Sequence, residues 1–189
     1  LAQIKLATNI NSFDIAQLKR TFRIAVSDWM ADIFWLPLRQ RIEKLAPNVN
    51  IHAVPYKVNG EKLLLEADVD LVLDYYEGSS DKIQTQWLFD NKFVCAMRPE
   101  HPLANQPLAL SKFVAAEHLL LSLSGQASAS VDDILSQQAM QRRIAMTVNH
   151  CSNMAKLLEQ TDLITTIPLA IILDKVNEGR LIIKTPPIA

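Results

Sequence analysis

Small polar residues follow three apolar segments of this sequence. Ser27 and Asp28 come after an apolar segment that begins at Phe22, Ser122 and Ser124 lie at the end of a second, and residues 149–152 follow a third. Hydroxyl, carboxylate and free backbone N–H groups at the carboxyl ends of parallel strands can bind a small ligand. The same residue types cap helix N-termini, so capping and ligand binding both stay open for each of them.

The motifs of common enzyme classes are absent from the sequence. The chain has only four glycines and contains no G-x-S-x-G, H-E-x-x-H, P-loop or G-x-G-x-x-G pattern. Its four histidines form no i, i+4 pair, and the adjacent His150 and Cys151 cannot hold a metal ion by themselves. We therefore expect no catalytic residues, no metal and no cofactor.

Composition indicates a compact folded chain. Its 189 residues are 49% hydrophobic and 21% charged, and 19 basic residues against 20 acidic ones give a net charge of -1, which does not favour direct binding to nucleic acid. No apolar run is long enough to cross a bilayer. Two cysteines, Cys95 and Cys151, are typical of a reducing cytoplasm, although a secreted protein that has lost its signal peptide stays open.

Strand-like and helix-like segments alternate along most of the chain. Strands at 22–27, 49–54 and 70–74 with helices at 32–46 and 60–66 predict right-handed βαβ crossovers and a parallel sheet. Further strands are expected at 84–88 and 93–97. A second, shorter α/β unit is expected over 110–167, and helix 170–178 with strand 181–184 should then rejoin the first sheet. The predicted class is α/β with two lobes.

Five motifs along the sequence carry a resemblance to a known family. They occupy residues 21–28, 36–49, 68–73, 97–104 and 161–168, and the fourth contains a His-Pro-Leu crossover at His101. With these motifs the chain resembles the effector-binding domain of LysR-type bacterial transcriptional regulators. It departs from many members at Thr161-Asp162-Leu163, where they have a Gly-x-Gly turn, so the resemblance does not carry over a ligand.

The resemblance implies a fold and a function. The fold is periplasmic-binding-protein-like, type 2, with two Rossmann-like subdomains joined by two crossover strands and an effector between them. Residues 1–20 would be a linker remnant, 21–98 plus 168–189 a discontinuous subdomain I, and 99–167 subdomain II. The chain would be a cytoplasmic, non-enzymatic sensor without a membrane segment, and DNA would be bound only through an N-terminal winged helix-turn-helix outside this chain.

The resemblance also implies contact residues and partners. The partners would be a small-molecule effector, with organic acids as one candidate class, and a second copy in a homodimer or homotetramer. The effector contacts would be Ser27, Asp28, Asn59, Ser122, Ser124 and Thr166. The dimer contacts would be Leu38, Arg41, Ile42, Leu45, Met154 and Leu158. Two alternatives stay open, a periplasmic solute-binding protein of the same fold and an enzyme built on it.

Overall fold

A computed structural model describes residues 14–56, 59–74, 80–122 and 129–188, and the chain divides into two compact units at Gln84 and Thr85. The first unit is a three-stranded sheet in the order β2-β1-β3, in which both neighbours of β1 run parallel to it. Its core is formed by Ile24, Val26, Met30 and Leu73, which lie between the sheet and the long helix. The elements are β1 (Arg20–Val26), α1 (Asp28–Leu45), β2 (Val49–Val54), α2 (Gly60–Leu65) and β3 (Leu71–Leu73).

Helix α1 begins four residues earlier than the sequence predicts. Trp29 and Met30 pack into the core of the first unit, and this packing extends the helix back to Asp28. Pro37 therefore lies in the helix interior and not in its first turns. A proline there cannot donate the usual backbone hydrogen bond, so packing against the sheet must stabilise this stretch.

The second unit contains a five-stranded mixed sheet in the order β6-β5-β7-β4-β8. Strand β5 runs parallel to β6 and β7, whereas β4 runs antiparallel to both β7 and β8. Its buried side chains form two clusters. One includes Val94, Ala96 and Ile167, and the other includes Cys95, Met97 and Ile164. The elements are β4 (Phe93–Met97), α3 (Leu110–Ala115), β5 (Glu117–Leu121), α4 (Ser130–Gln137), β6 (Arg143–Val148), α5 (Met154–Gln160), β7 (Leu163–Pro168), α6 (Leu173–Asn177) and β8 (Ile182–Lys184).

Two strand predictions from the sequence are wrong. Residues 84–88 form no strand, and the apolar side chains of Trp87 and Leu88 stay exposed there. The last strand, β8, does not rejoin the first sheet but pairs with β4, with Cys95 opposite Lys184 and Met97 opposite Ile182. The subdomain boundaries drawn from the sequence stay a prediction.

The His-Pro-Leu motif joins the turn after β4 to the turn before β7. His101 Nδ1 accepts a hydrogen bond from the backbone N–H of Leu103 at 3.0 Å, so the ring proton lies on Nε2, which donates to the carbonyl of Asp162 at 3.1 Å. The Nε and Nη2 groups of Arg98 both donate to Asp162 Oδ1, at 3.1 and 2.8 Å. These bonds fix the Thr161-Asp162-Leu163 turn, the segment where the sequence departs from the family that it resembles.

Candidate functional site

Ser27 stands at the carboxyl end of β1 and precedes helix α1. Its side chain is buried, with 1% of the residue exposed, and its hydroxyl oxygen has no hydrogen-bond partner in the described structure. Although Ser27 is the N-cap of α1, its hydroxyl makes no capping hydrogen bond. Capping therefore does not explain this side chain. A buried hydroxyl without a partner costs stability, so it is a group that a ligand could satisfy.

Asp28 and Asn59 differ from Ser27 in their surroundings. Asp28 is the first residue of α1 and is half-buried. Asn59 has a positive φ of 125° and caps helix α2, with its side-chain oxygen accepting from the N–H of Lys62 at 3.0 Å. Asn59 therefore caps helix α2, and this hydrogen bond occupies the side-chain oxygen that a ligand could otherwise contact.

Tyr56 and Asp74 stand at the same edge of the first sheet, after β2 and β3. Burial and the neighbouring Asp74 carboxylate raise the pKa of the Tyr56 hydroxyl well above its usual value. The phenol therefore stays protonated and can act as a donor. Tyr56 is not among the residues predicted from the sequence, although its position two residues past a strand is a usable signal.

In the second unit, Ser122 and Thr166 are the predicted contacts that the structure describes, and Ser124 lies outside the described residues. Ser122 is 7% exposed and directly follows β5. Thr166 is 9% exposed, and its hydroxyl oxygen also has no hydrogen-bond partner in the described ranges. Its neighbour Thr165 is satisfied, because its hydroxyl donates to the carbonyl of Leu119 at 2.8 Å.

Cys95 lies directly opposite Thr166 in the β4–β7 pair and is fully buried. Burial raises the pKa of its thiol to about 12, against the weaker opposing effects of Arg142 and Lys184. The thiol is therefore neutral and unreactive near pH 7. It presents a small apolar surface beside the Thr166 hydroxyl.

A buried ion pair supports the start of helix α4. Arg142 donates to both carboxylate oxygens of Asp132, at 2.8 and 2.9 Å, and its side chain is only 2% exposed. Asp132 also accepts from the N–H of Ala129 at 2.7 Å, which holds the start of helix α4. Next to the pair, His118 hydrogen bonds to the carbonyl of Phe113 at 2.8 Å, and burial lowers the pKa of its imidazole to about 4. Local sequence pattern does not reveal this cluster, because its members are far apart along the chain.

The structure corrects two of the predicted dimer contacts. Met154 and Leu158 are both 0% exposed and belong to the core of the second unit, so their side chains cannot contact another chain. Leu45 is 46% exposed and Arg41 is exposed, whereas Leu38 and Ile42 are half-buried. The interface itself stays a prediction.

Across the described ranges, no three His, Cys, Asp or Glu side chains come together as a metal-binding group. Among the helices in those ranges, none is both long enough and apolar enough to span a membrane. The hydroxyls of Ser27 in the first unit and of Ser122 and Thr166 in the second unit are uncharged, so each can bind a ligand by a hydrogen bond.

The fold and these groups define a two-unit α/β protein of the type 2 periplasmic-binding-protein-like class. Residues 16–188 match the family model described as the LysR substrate binding domain. The chain belongs to this family.

Sequence relatives and solved structures agree with this assignment. The chain is 31% identical over 166 residues to the HTH-type transcriptional activator NagR of Ralstonia sp, covering 85% of this chain and 54% of NagR. It is 29% identical over 163 residues to the HTH-type transcriptional activator NahR of Pseudomonas putida, covering 84% of this chain and 53% of NahR. The chain thus spans about half the length of these curated relatives.

The fold is shared with the regulatory domain of MexT, a transcriptional activator in Pseudomonas aeruginosa. That match has a TM-score of 0.76 at 23% identity and covers 92% of this chain and 84% of the MexT chain. The named relatives are transcriptional regulators and not enzymes. The alternative of a periplasmic solute-binding protein is therefore not favoured.

Proposed function

We propose that this chain is the effector sensor of a LysR-type transcriptional regulator, and that the buried hydroxyls of Ser27 in the first unit and Thr166 in the second unit are ligand-binding groups. The observation that carries the proposal is that both hydroxyls are buried at predicted contact positions without a hydrogen-bond partner in the described structure. A ligand atom that hydrogen bonds to either hydroxyl would remove a desolvation cost that the free protein carries.

The rest of the proposal concerns the whole protein. A winged helix-turn-helix encoded upstream of this chain would bind DNA, and the chain itself would supply sensing and self-association, without catalysis. Because such a regulator acts on DNA, we place it in the cytoplasm. Reading the parent gene upstream of residue 1 tests the DNA-binding part, since a secretion signal there would contradict it.

The sensing role is tested by a thermal-shift screen of small organic acids, followed by titration of each compound that stabilises the protein. The variant that removes the contacted hydroxyl, Ser27→Ala or Thr166→Val, should weaken the binding of such a compound about 5- to 10-fold, the loss expected for one hydrogen bond. Ser136→Ala is the matched control, because Ser136 is an exposed helix residue of the second unit. A screen without any stabilising compound, or equal binding by all three variants, would contradict the proposal.

A further inference from the structure

The sequence contains a single Asn-Gly pair, formed by Asn59 and Gly60. In such a pair the backbone nitrogen of the glycine can attack the side-chain amide carbon of the asparagine, because glycine has no Cβ to hinder the approach. A new C–N bond closes a cyclic imide, the bond to the side-chain nitrogen breaks, and that nitrogen leaves as ammonia with the proton from the glycine N–H. Water then opens the imide to aspartate or isoaspartate. The sequence thus makes this pair the position most open to deamidation.

The structure leaves the Asn59 side chain exposed to the water that this reaction consumes. Asn59 directly precedes helix α2 and has a φ of 125°, a conformation that strains a residue with a Cβ. The other described asparagines of the first unit, Asn48 and Asn50, are also exposed. They are followed by the β-branched residues Val49 and Ile51, whose side chains hinder attack by the backbone nitrogen. Asn59 is therefore the reactive asparagine of this unit.

Two contacts hold the Asn59-Gly60 pair in the folded chain. The side-chain oxygen of Asn59 accepts a hydrogen bond from the backbone N–H of Lys62 at 3.0 Å. Gly60 is closely packed, since a Cβ placed on it would lie 2.7 Å from Val72 Cγ1 and 3.2 Å from Tyr56 Cε2. Ring closure must bring the amide carbon and the glycine nitrogen within bonding distance, and these contacts restrain both atoms. The reaction must therefore start from a locally opened state.

We propose that Asn59 is the deamidation site of this chain and that the capping hydrogen bond from the Lys62 N–H slows the reaction. This chemistry does not depend on whether the chain binds an effector. An N-cap hydrogen bond typically changes the equilibrium between a formed and an opened helix start about 5-fold. Its loss should raise the population of the opened state, and with it the deamidation rate, by the same factor.

The two products should affect helix α2 in different ways. Aspartate keeps an oxygen that can accept from the Lys62 N–H, and its negative charge is favoured at a helix N-terminus. Isoaspartate lengthens the main chain by one methylene group, for which the close packing around Gly60 leaves little room. Both products add a negative charge at a residue that the family resemblance predicts to contact the effector.

The test follows the reaction in the full 189-residue chain at neutral pH and physiological temperature. Peptide mapping by mass spectrometry locates the product, and an isoaspartyl methyltransferase assay measures the isoaspartate fraction. Asn59 should be modified first, while Asn50 in strand β2 stays unmodified over the same period. The wild type unfolded in urea should react faster at Asn59 than the folded wild type, because unfolding removes both restraints.

Lys62→Pro removes the N–H that caps Asn59 and places proline in the first helical turn, where it is tolerated. It should raise the rate at Asn59 about 5-fold. Lys62→Ala is the matched control, because it keeps the N–H and removes only an exposed side chain that pairs with Glu66. Glu61→Pro is a second control, because it introduces the same ring but keeps the capping N–H. Both controls should react at the wild-type rate.

Hydrogen exchange of the Lys62 amide in the folded wild type measures the same opening without a substitution. The amide should be protected, and Lys62→Pro should be folded by circular dichroism. An unprotected Lys62 amide, equal rates in Lys62→Pro and the wild type, or equal acceleration in Glu61→Pro would overturn the role of the cap. Earlier modification at another asparagine, or equal rates at Asn59 in the folded and urea-unfolded wild type, would overturn the whole inference.

Discussion

Thr165 and Thr166 are neighbours in strand β7, yet their hydroxyl groups have opposite surroundings. The Thr165 hydroxyl donates to the carbonyl of Leu119, whereas the Thr166 hydroxyl is buried without a partner in the described structure. Removing a satisfied hydroxyl costs stability, and removing an unsatisfied one costs little or stabilises. The Thr165 hydroxyl thus stabilises the fold, whereas the Thr166 hydroxyl does not and is free to bind a ligand.

We predict that Thr165→Val lowers the free energy of unfolding of the ligand-free protein by about 1 kcal/mol. Thr166→Val should leave it unchanged or raise it, because valine has nearly the same shape and needs no hydrogen bond. Urea denaturation monitored by circular dichroism measures both. A larger loss in Thr166→Val than in Thr165→Val would contradict the ligand role of Thr166.

His118 should make the stability depend on pH. Burial, aided by the nearby Arg142 and opposed by the Phe113 carbonyl and Asp132, lowers the pKa of the folded imidazole to about 4. An unfolded histidine has a pKa near 6.5, so between these values the unfolded chain binds a proton that the folded chain does not. The contribution of His118 is complete above about pH 6.5 and is lost as the pH falls towards 4.

The expected loss is at most about 3 kcal/mol across that interval. Urea denaturation at a series of pH values should show it in the wild type, and His118→Gln should flatten the profile. His52 is exposed, so His52→Gln is the control and should keep the wild-type profile. An identical slope in wild type and His118→Gln would contradict the assignment.

At the scale of elements, the Arg142–Asp132 pair connects the start of helix α4 to the residue that precedes strand β6. A buried charge that loses its partner is strongly destabilising, whereas an exposed pair contributes little. The second unit contains both kinds. Arg143 and Glu117 form an exposed pair between β6 and β5, with side chains 70% and 50% exposed.

We predict that Asp132→Ala lowers the free energy of unfolding by about 3 kcal/mol because it leaves the Arg142 guanidinium buried and unpaired. Glu117→Ala should change it by less than about 1 kcal/mol. The double variant Asp132→Ala/Arg142→Met should recover part of the loss. Thermal or urea unfolding checks the series, and equal losses in Asp132→Ala and Glu117→Ala would contradict the buried-pair argument.

The local sequence pattern predicts the strands and helices better than it predicts which strands pair with one another. Strand β2 was predicted with its observed bounds, because the Pro47-Asn48 stop and Pro55 delimit its residues. The pairing of β8 with β4 could not be predicted locally, since the choice of sheet depends on contacts far along the chain. Residues 84–88 have strand-like composition but no pairing strand in the described structure.

The same limit of local sequence pattern applies to the candidate site. Ligand contacts at Ser27, Ser122 and Thr166 stay predictions. That two of these hydroxyls lack a hydrogen-bond partner among the described residues depends on three-dimensional packing, which local sequence does not reveal. The resemblance predicts interface roles for Met154 and Leu158, although their i, i+4 spacing is that of a core-facing helix stripe. Their complete burial fits that simpler interpretation.

For the whole molecule, sensing requires that an effector bind two states of the protein with different affinity. The effector can shift the equilibrium between these states by no more than the difference in its binding free energies, typically about 1 to 3 kcal/mol. Self-association would carry such a shift to a DNA-binding domain. Of the six predicted dimer contacts, Arg41 and Leu45 have exposed side chains, and both lie on helix α1.

We predict that Leu45→Glu weakens dimer formation at least about 10-fold, because it places a charge in an apolar contact. Leu65→Glu is the control, since Leu65 is similarly exposed, at 49%, on helix α2 of the same unit. Sedimentation equilibrium of the two variants and the wild type measures the difference. Equal dissociation constants would argue against an interface at Leu45.

The position of β8 has a consequence for how the protein is made. The first sheet is complete once residue 73 has left the ribosome, because its strands come from one continuous stretch. In the second sheet, β4 lies between β7 and β8, which both come much later in the chain. Strand β4 therefore has neither neighbour until residues 163–168 are made, and it lacks β8 until residue 184 is made. During that delay the nascent chain exposes a hydrophobic segment, and chaperones would act on it at this stage.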